Sequence, residues 1–239
     1  MSKNGAEIIT HLLERQGIEI VAGIPGGANL PLYDALSQST KIRHVLARHE
    51  QGAGFMAQGM ARVTGTPQVC LATSGPGATN ILTAIADAKM DSIPVICITG
   101  QVPSSMIGTD AFQEVDTYGM SIPITKHNFL VRSAAELFEV IPAAFRIASS
   151  GRPGPVLVDV PKDVQMEVVE FEAWPEPGKA TPPPPYLEES VARAAEFINK
   201  AKRPVLYMGG GFMHSNAGKL AVQLAEQASL PTTMTLMGL

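Results

Sequence analysis

Cysteine, tryptophan and positive charge are scarce in this 239-residue sequence. It has two cysteines, one tryptophan and 18 Lys plus Arg against 22 Asp plus Glu, a formal charge of −4. No Cys-x-x-Cys occurs, and both cysteines sit in apolar runs, Val69-Cys70-Leu71 and Val95-Ile96-Cys97-Ile98, where a thiol behaves as a small buried hydrophobe. A disulfide scaffold is therefore excluded. The lack of a basic surplus excludes a nucleic-acid binder that works through a basic face. No apolar run approaches a membrane span, and Met1-Ser2-Lys3-Asn4-Gly5 has no apolar signal core. A reduced, cytoplasmic protein with no membrane partner is expected. Gly-x-Ser-x-Gly, His-Glu-x-x-His and Gly-Lys-Ser/Thr are missing too, which leaves nucleophile-elbow hydrolases, zinc proteases and P-loop enzymes without support. What is present is 45% hydrophobic residues, 22 glycines and 19 prolines, enough apolar mass for a core and many tight turns.

Short apolar, β-branched runs occur at Ile18–Val21, His44–Ala47, Gln68–Ala72, Pro94–Thr99, Asn128–Arg132 and Pro155–Val160. They are mostly continuous rather than alternating, as strands covered on both faces are. Between them lie helical patterns: a first helix carrying Ile9, Leu12 and Leu13, capped by Asn4 and Glu7 and ended by Gly17, then 28–37, 51–64, 78–90 and 134–149. This alternation predicts an α/β domain, a parallel six-stranded sheet with helices on both faces, over residues 1–168. The stretch 169–187 contains Pro182 to Pro185 and reads as an extended proline-rich linker. From 188 to 239 a helix to Lys200, a strand Val205–Met208, a Gly209-Gly210-Gly211 turn, a helix Gly218–Ala228 and a strand Thr232–Leu236 give the start of a second, Rossmann-like α/β domain. So short an open α/β pattern cannot cover both faces of a sheet, so this domain is expected to be incomplete.

Three glycine-rich turns, Gly23-Ile24-Pro25-Gly26-Gly27, Ser74-Gly75-Pro76-Gly77 and Gly209-Gly210-Gly211, each follow a strand and precede a helix, where open α/β sheets bind ligands. Arg48-His49-Glu50-Gln51 closes the second strand. Glu50 falls in the first helical turn, either as a carboxylate favoured by the helix dipole or as a functional group, and its position alone leaves both open. The acidic segment Asp110–Asp116 is either a cation site or a solvated helix face. His44 and His49 lack ligand spacing, and His127 reads as a sheet-end histidine.

Taken in order, Gly23–Gly27, Arg48–Ala53 and Thr73–Asn80 resemble the pyrimidine-binding domain of thiamine-diphosphate-dependent decarboxylases and carboligases. The segments Ile98–Pro103, Thr109–Glu114, Ser121–His127 and Gly151–Val156 narrow the resemblance, across essentially the whole chain, to the acetolactate synthase catalytic subunits of that family. The resemblance implies that Glu50 and Gln113 are catalytic, with the Glu50 carboxyl against the cofactor's pyrimidine ring. It implies that Gly27, Thr73, Pro76, Asn80 and Gln113, with Glu50, line thiamine diphosphate, and that Val102, Pro103, Phe112 and Lys162 line the substrate channel. Arg152, Gly209, Gly210, Gly211, Thr235, Leu236 and Met237 are implied FAD contacts. Mg²⁺ is expected on a diphosphate-binding domain outside this chain, because no Gly-Asp-Gly occurs in it. The implied substrates are pyruvate and 2-oxobutyrate. The implied assembly is a homodimer with its active site between subunits, with room for a regulatory small subunit, and the chain alone is expected to be catalytically incomplete. The rival expectations are a related pyruvate oxidase or 2-oxo-acid decarboxylase, and a non-catalytic interaction module.

Overall fold

A computed structural model of the chain describes residues 1–215 and 217–239. It divides into two compact units, Met1–Thr181 and Pro182–Leu239. The first opens with β1 (Ser2–Asn4) and α1 (Gly5–Arg15), and continues through β2 (Ile20–Gly23), α2 (Leu30–Ser37), β3 (Arg43–Leu46), α3 (Glu50–Thr64), β4 (Gln68–Ala72), α4 (Pro76–Asp91) and β5 (Val95–Gln101). It ends with α5 (Thr117–Ser121), β6 (His127–Leu130), α6 (Leu137–Ser149), β7 (Val156–Pro161), α7 (Lys162–Met166) and β8 (Val168–Glu170). The second holds α8 (Glu188–Lys200), β9 (Leu206–Met208), α9 (Gly210–His214), α10 (Gly218–Gln227) and β10 (Thr232–Met234).

The main sheet has six strands in the order β3-β2-β4-β5-β7-β6, and every pairing in it is parallel. Alternate side chains feed two cores. Val69, Leu71, Ile96, Ile98, Val156 and Val158 pack with α1, α2 and α6 on one face. Ala22, Cys70, Ala72, Cys97 and Leu157 pack with the alanine-rich inner faces of α3 and α4 on the other. On α1, Ile8, Ile9, Leu12 and Leu13 are fully or nearly fully buried, each worth roughly 1.5–3 kcal/mol. The Asn4 side chain accepts from the Glu7 amide at 2.9 Å, and the Glu7 carboxylate takes the Asn4 amide at 2.9 Å, so the expected cap is a reciprocal capping box.

Between β2 and β4 the chain changes direction across the sheet: β2 leads to β3 on one side, and β4 leads to β5 on the other. The carboxyl ends of these two strands form the switch point of the sheet, the place where open α/β folds bind ligands.

Several elements differ from expectation. Part of the stretch read as linker is structured: β8 pairs antiparallel with β1, and Phe171 and Trp174 stack on Phe138, with Trp174 also against His11. Local propensity gives no sign of this, because β1 is an edge strand only through a partner far along the chain. In the second unit β9 and β10 pair in parallel, but β10 stops at Met234 and residues Leu236–Gly238 form a 3₁₀ turn. Beyond Met208 the neighbouring strand has ended, which leaves no ladder for Leu236 to join. Gly210 and Gly211 are helical rather than part of a turn. The segment Asp110–Asp116 is a loop, not a helix face.

Candidate functional site

Glu50 is the first residue of α3 and stands at the carboxyl end of β3. His49 is the N-cap, its Nδ1 accepting from the Gln51 amide at 3.1 Å, which fixes the helix start and aims Glu50 inward. The Glu50 side chain is 9% exposed. Asn80, on the first turns of α4, donates from Nδ2 to Glu50 Oε2 at 3.0 Å. The described ion pairs include none to Glu50. A buried carboxylate held by a neutral amide at a helix N-terminus is oriented without being tied into a salt bridge.

Thr73 and Gly77 lie next to it. A Cβ on Gly77 would come 2.7 Å from Thr73 Cγ2 and 3.4 Å from Glu50 Oε1, so only glycine lets the start of α4 pack this closely against Thr73 and the Glu50 carboxyl. Thr73 Oγ1 accepts from the Ala28 amide at 3.2 Å, which joins the loop after β4 to the loop after β2. A Cβ on Gly27 would meet nothing within 4 Å. Pro76 is exposed as the first residue of α4. Gln113 is half-buried with φ +59°, and its backbone lies against Gly75, where an added Cβ would come 2.6 Å from the Gln113 carbonyl oxygen. The carboxyl ends of β2, β3 and β4 thus bring together the segments that carry Gly27, Glu50, Thr73, Pro76 and Asn80, with the Gln113 backbone against the turn at Gly75.

Val102 and Pro103 leave the carboxyl end of β5, and Lys162 opens α7 at the carboxyl end of β7. The Asp163 carboxylate ties these together by accepting from the Ser104 amide at 2.9 Å and the Ser104 hydroxyl at 3.1 Å. Val102 is buried, Lys162 is half-buried, and Phe112 is 86% exposed on its loop.

Arg152 precedes β7, at the amino end of the strands, whereas Glu50 stands at their carboxyl end. Its guanidinium donates to Ser92 Oγ at 2.7 Å and to the Met90 carbonyl at 3.1 Å, at the C-terminus of α4. Within the second unit, Gly209–Gly211 and Thr235–Met237 do come together. The Thr235 amide donates to the Met208 carbonyl at 2.9 Å, and a Cβ on Gly210 would lie 3.2 Å from Met237.

Sequence reading missed three buried polar groups in the first unit. Asp159, at the centre of β7, is 1% exposed. It accepts from Thr99 Oγ1 at 2.7 Å and from Gln101 Nε2 at 3.0 Å. Burial raises its carboxyl to about 7, with the Asp116 charge adding and the two hydrogen bonds opposing. A lone acid inside Val156-Leu157-Val158-Asp159-Val160 was the available signal. Gln101 is 3% exposed at the end of β5. Tyr33 stacks edge-on against His44, and its hydroxyl is buried without a described partner. Burial first, then the Cys70 and Glu50 charges, push that phenol well above its usual range. Cys70 and Cys97 are both buried free thiols. Among the described residues no three His, Cys, Asp or Glu side chains group so as to hold a metal ion, and no helix is long and apolar enough to cross a membrane.

A parallel six-stranded sheet with helices on both faces, and with a buried glutamate and glycine-rich turns at its carboxyl end, defines an open α/β domain. Residues 3–120 match the family model for the thiamine pyrophosphate enzyme N-terminal TPP binding domain, and residues 191–239 match that for the thiamine pyrophosphate enzyme central domain. The chain is 68% identical over 235 residues to the acetolactate synthase isozyme 1 large subunit of Escherichia coli (strain K12), covering 98% of this chain and 42% of that protein. It is 51% identical over 239 residues to the acetolactate synthase large subunit of Corynebacterium glutamicum, covering 98% and 38%. It is 49% identical over 236 residues to the isozyme 2 large subunit of E. coli (strain K12), covering 99% and 42%. The chain belongs to the thiamine pyrophosphate enzyme family and is homologous to acetolactate synthase large subunits, of whose length it spans about two-fifths.

Proposed function

We propose that this chain supplies the pyrimidine-binding half of an acetolactate synthase active site. The observation that carries the reading is the Glu50 carboxyl, buried at the start of α3, bonded by Asn80 and lying against the glycine-rich turn at Gly77 and Thr73. A buried carboxyl without a described ion-pair partner suits a ring with a basic nitrogen. Bound there, thiamine diphosphate supplies a carbon centre that accepts the electrons released when a 2-oxo acid loses CO₂. Glu50 holds and exchanges a proton at the ring nitrogen. Gly27, Thr73, Pro76 and Asn80 shape the pocket, and Gln113 offers an amide to the reacting carbonyl. Val102, Pro103, Phe112 and Lys162 border the approach for substrate. The net reaction proposed is two pyruvates to 2-acetolactate and CO₂, or pyruvate and 2-oxobutyrate to 2-aceto-2-hydroxybutyrate and CO₂, in branched-chain amino-acid synthesis.

The domain assignment in this proposal is 1–168 pyrimidine-binding, 169–187 linker and 188–239 the start of an FAD-binding domain. Gly209–Gly211 with Thr235–Met237 would offer backbone to the flavin, with Arg152 as a further contact. Mg²⁺ finds no ligand set among the described residues and is assigned outside them. The proposal includes a homodimer with its site between subunits, a regulatory small subunit as a partner, and a cytoplasmic location.

The test is Glu50→Gln in this chain carried to its relatives' length with the remaining residues of the isozyme 1 subunit. Acetolactate formation from pyruvate is expected to fall by roughly 10²–10⁴-fold with unchanged thermal unfolding. Near-normal turnover would overturn the role of Glu50. Acetate or acetaldehyde as the main product of the unmutated protein would replace acetolactate synthesis with oxidase or decarboxylase chemistry.

A further inference from the structure

We propose that Asp159 is a positioning residue: its buried carboxylate, acting through the Gln101 side-chain amide, sets the Asp110–Asp116 loop that presents Phe112 and Gln113. The Gln101 amide is fully used. Nε2 donates to Asp159 Oδ2 at 3.0 Å and to the Val115 carbonyl at 3.0 Å, while Oε1 accepts from the Val102 amide at 2.8 Å. Turning the amide over would set Oε1 against two acceptors and the amino group against an N–H, so Asp159, together with the Val115 carbonyl and the Val102 amide, fixes which way Gln101 faces. Through that orientation the sheet grips the loop at Val115.

The loop needs such a grip. Asp110 and Gln113 both hold positive φ, +56° and +59°, conformations that persist only where the surroundings impose them. From within the loop, the Glu114 carboxylate gathers the amides of Gly108, Thr109 and Ala111, and the Glu114 amide donates to the Ala111 carbonyl at 2.9 Å. From the sheet, Gln101 supplies the bond to Val115.

An apolar side chain would fill the centre of β7 as Val158 and Val160 do, and no described ion pair compensates the acid there. The titratable groups facing Asp159 are Asp116 at the start of α5 and the Cys97 thiol on β5; among the described residues β6, α6 and α7 bring no charge that shifts it. When ionised, Asp159 accepts from Gln101 in a charge-assisted bond roughly twice as strong as a neutral one. When protonated, its O–H turns to Thr99 Oγ1 and the hold on Gln101 weakens. The loop is therefore set more firmly as Asp159 ionises.

The functional meaning rests on the reading of Phe112 and Gln113 as substrate-facing, but the test uses no turnover. On the 239-residue chain, isotope-labelled, the Asp159 carboxyl carbon, Gln101 Nε2, Val115 carbonyl carbon and Gln113 amide are followed by NMR from about pH 5 to about pH 9. The four signals are expected to titrate with one midpoint. Loop amide exchange, corrected for intrinsic rates, is expected to slow about three- to tenfold across it. In Asp159→Asn the loop signals are expected to be flat; in Thr99→Val, which leaves Gln101 in place, they still titrate. If Asp159 titrates while Val115 and Gln113 do not move, or if Asp159→Asn keeps the loop titration, the proposal fails. The unmutated titration decides even if a variant does not fold. Active Glu50→Gln would sink the catalytic reading and leave these signals unaffected, and flat loop signals would leave the Glu50 test intact.

Discussion

Replacing Asp159 by asparagine is expected to stabilise the first unit at alkaline pH and not at acid pH. The carboxyl lies at the centre of an all-buried strand, with Thr99 and Gln101 as its donors and no cation. Its value rises from the usual 3.8 to about 7. A raised carboxyl leaves stability intact below about pH 4, where it is neutral folded and unfolded. Stability is lost as pH rises toward about 7, because only the unfolded chain ionises freely, and above that the loss is constant. Three pH units at about 1.36 kcal/mol each give ~4 kcal/mol at most. Asparagine keeps the geometry: its oxygen accepts from Gln101, and its amino group donates to the Thr99 hydroxyl. The variant should match the parent within about 1 kcal/mol near pH 4 and exceed it by roughly 2–4 kcal/mol near pH 8. Urea unfolding followed by Trp174 fluorescence reads this directly, since the single tryptophan is packed on His11, Phe138 and Phe171 of the same unit. Taking the difference between the two proteins removes other titrations, including those of Glu7 and His11. A pH-independent difference, or a variant less stable near pH 8, would refute an ionisable, desolvated Asp159.

Other expectations follow from single contacts. Gly77→Ala places a methyl 2.7 Å from Thr73 Cγ2 and should cost about 1–3 kcal/mol in denaturant unfolding, with Thr73→Ser in the same chain recovering much of it; no recovery would show the clash lies elsewhere. Asn4→Ala removes the acceptor for the Glu7 amide and should lower stability by about 1 kcal/mol, read as a lower urea midpoint at unchanged slope. Glu114, held below the usual carboxylate range by the amides of Gly108 and Ala111, contributes loop order that is present above its unfolded value and lost as pH falls through its folded one; proteolysis of the loop should quicken on acidification in the parent and be fast at every pH in Glu114→Ala.

The sheet was legible because six β-branched runs, spaced by helical patterns, admit little but a parallel α/β sheet, and each run falls on a strand. The Asn4–Glu7 cap was legible because a capping box is a local code. What stayed hidden depends on pairings distant in sequence. Ser2–Asn4 becomes a strand only because Val168–Glu170 lies beside it. The turns at Gly23–Gly27 and Ser74–Gly77 were visible one at a time, but their meeting through Ala28 and Thr73 needs the order in which strands sit. Asp159 was visible as a misplaced acid, yet its partners come from β5, far upstream in the chain.

The two buried acids of the first unit show why a sheet can carry both. Glu50 and Asp159 are each bonded by side-chain amides, Asn80 and Gln101, rather than by lysine or arginine. A cation would fix each carboxylate in a pair whose rupture leaves a buried charge. An amide orients an oxygen at lower cost and leaves the acid free to exchange a proton. At Glu50 the oriented oxygen lies against the glycine-rich turn at Gly77, where the proposed contact with a ring requires it. At Asp159 it faces the core, where the described groups that can respond are the Thr99 hydroxyl and the Gln101 amide with the loop it holds. A lysine introduced beside Asp159 should therefore hold that acid ionised and remove the response it provides. Gln101→Lys tests this at the acid itself: an Asp159 carboxyl carbon signal that no longer titrates near neutral pH would fit this logic, and retained titration there would contradict it.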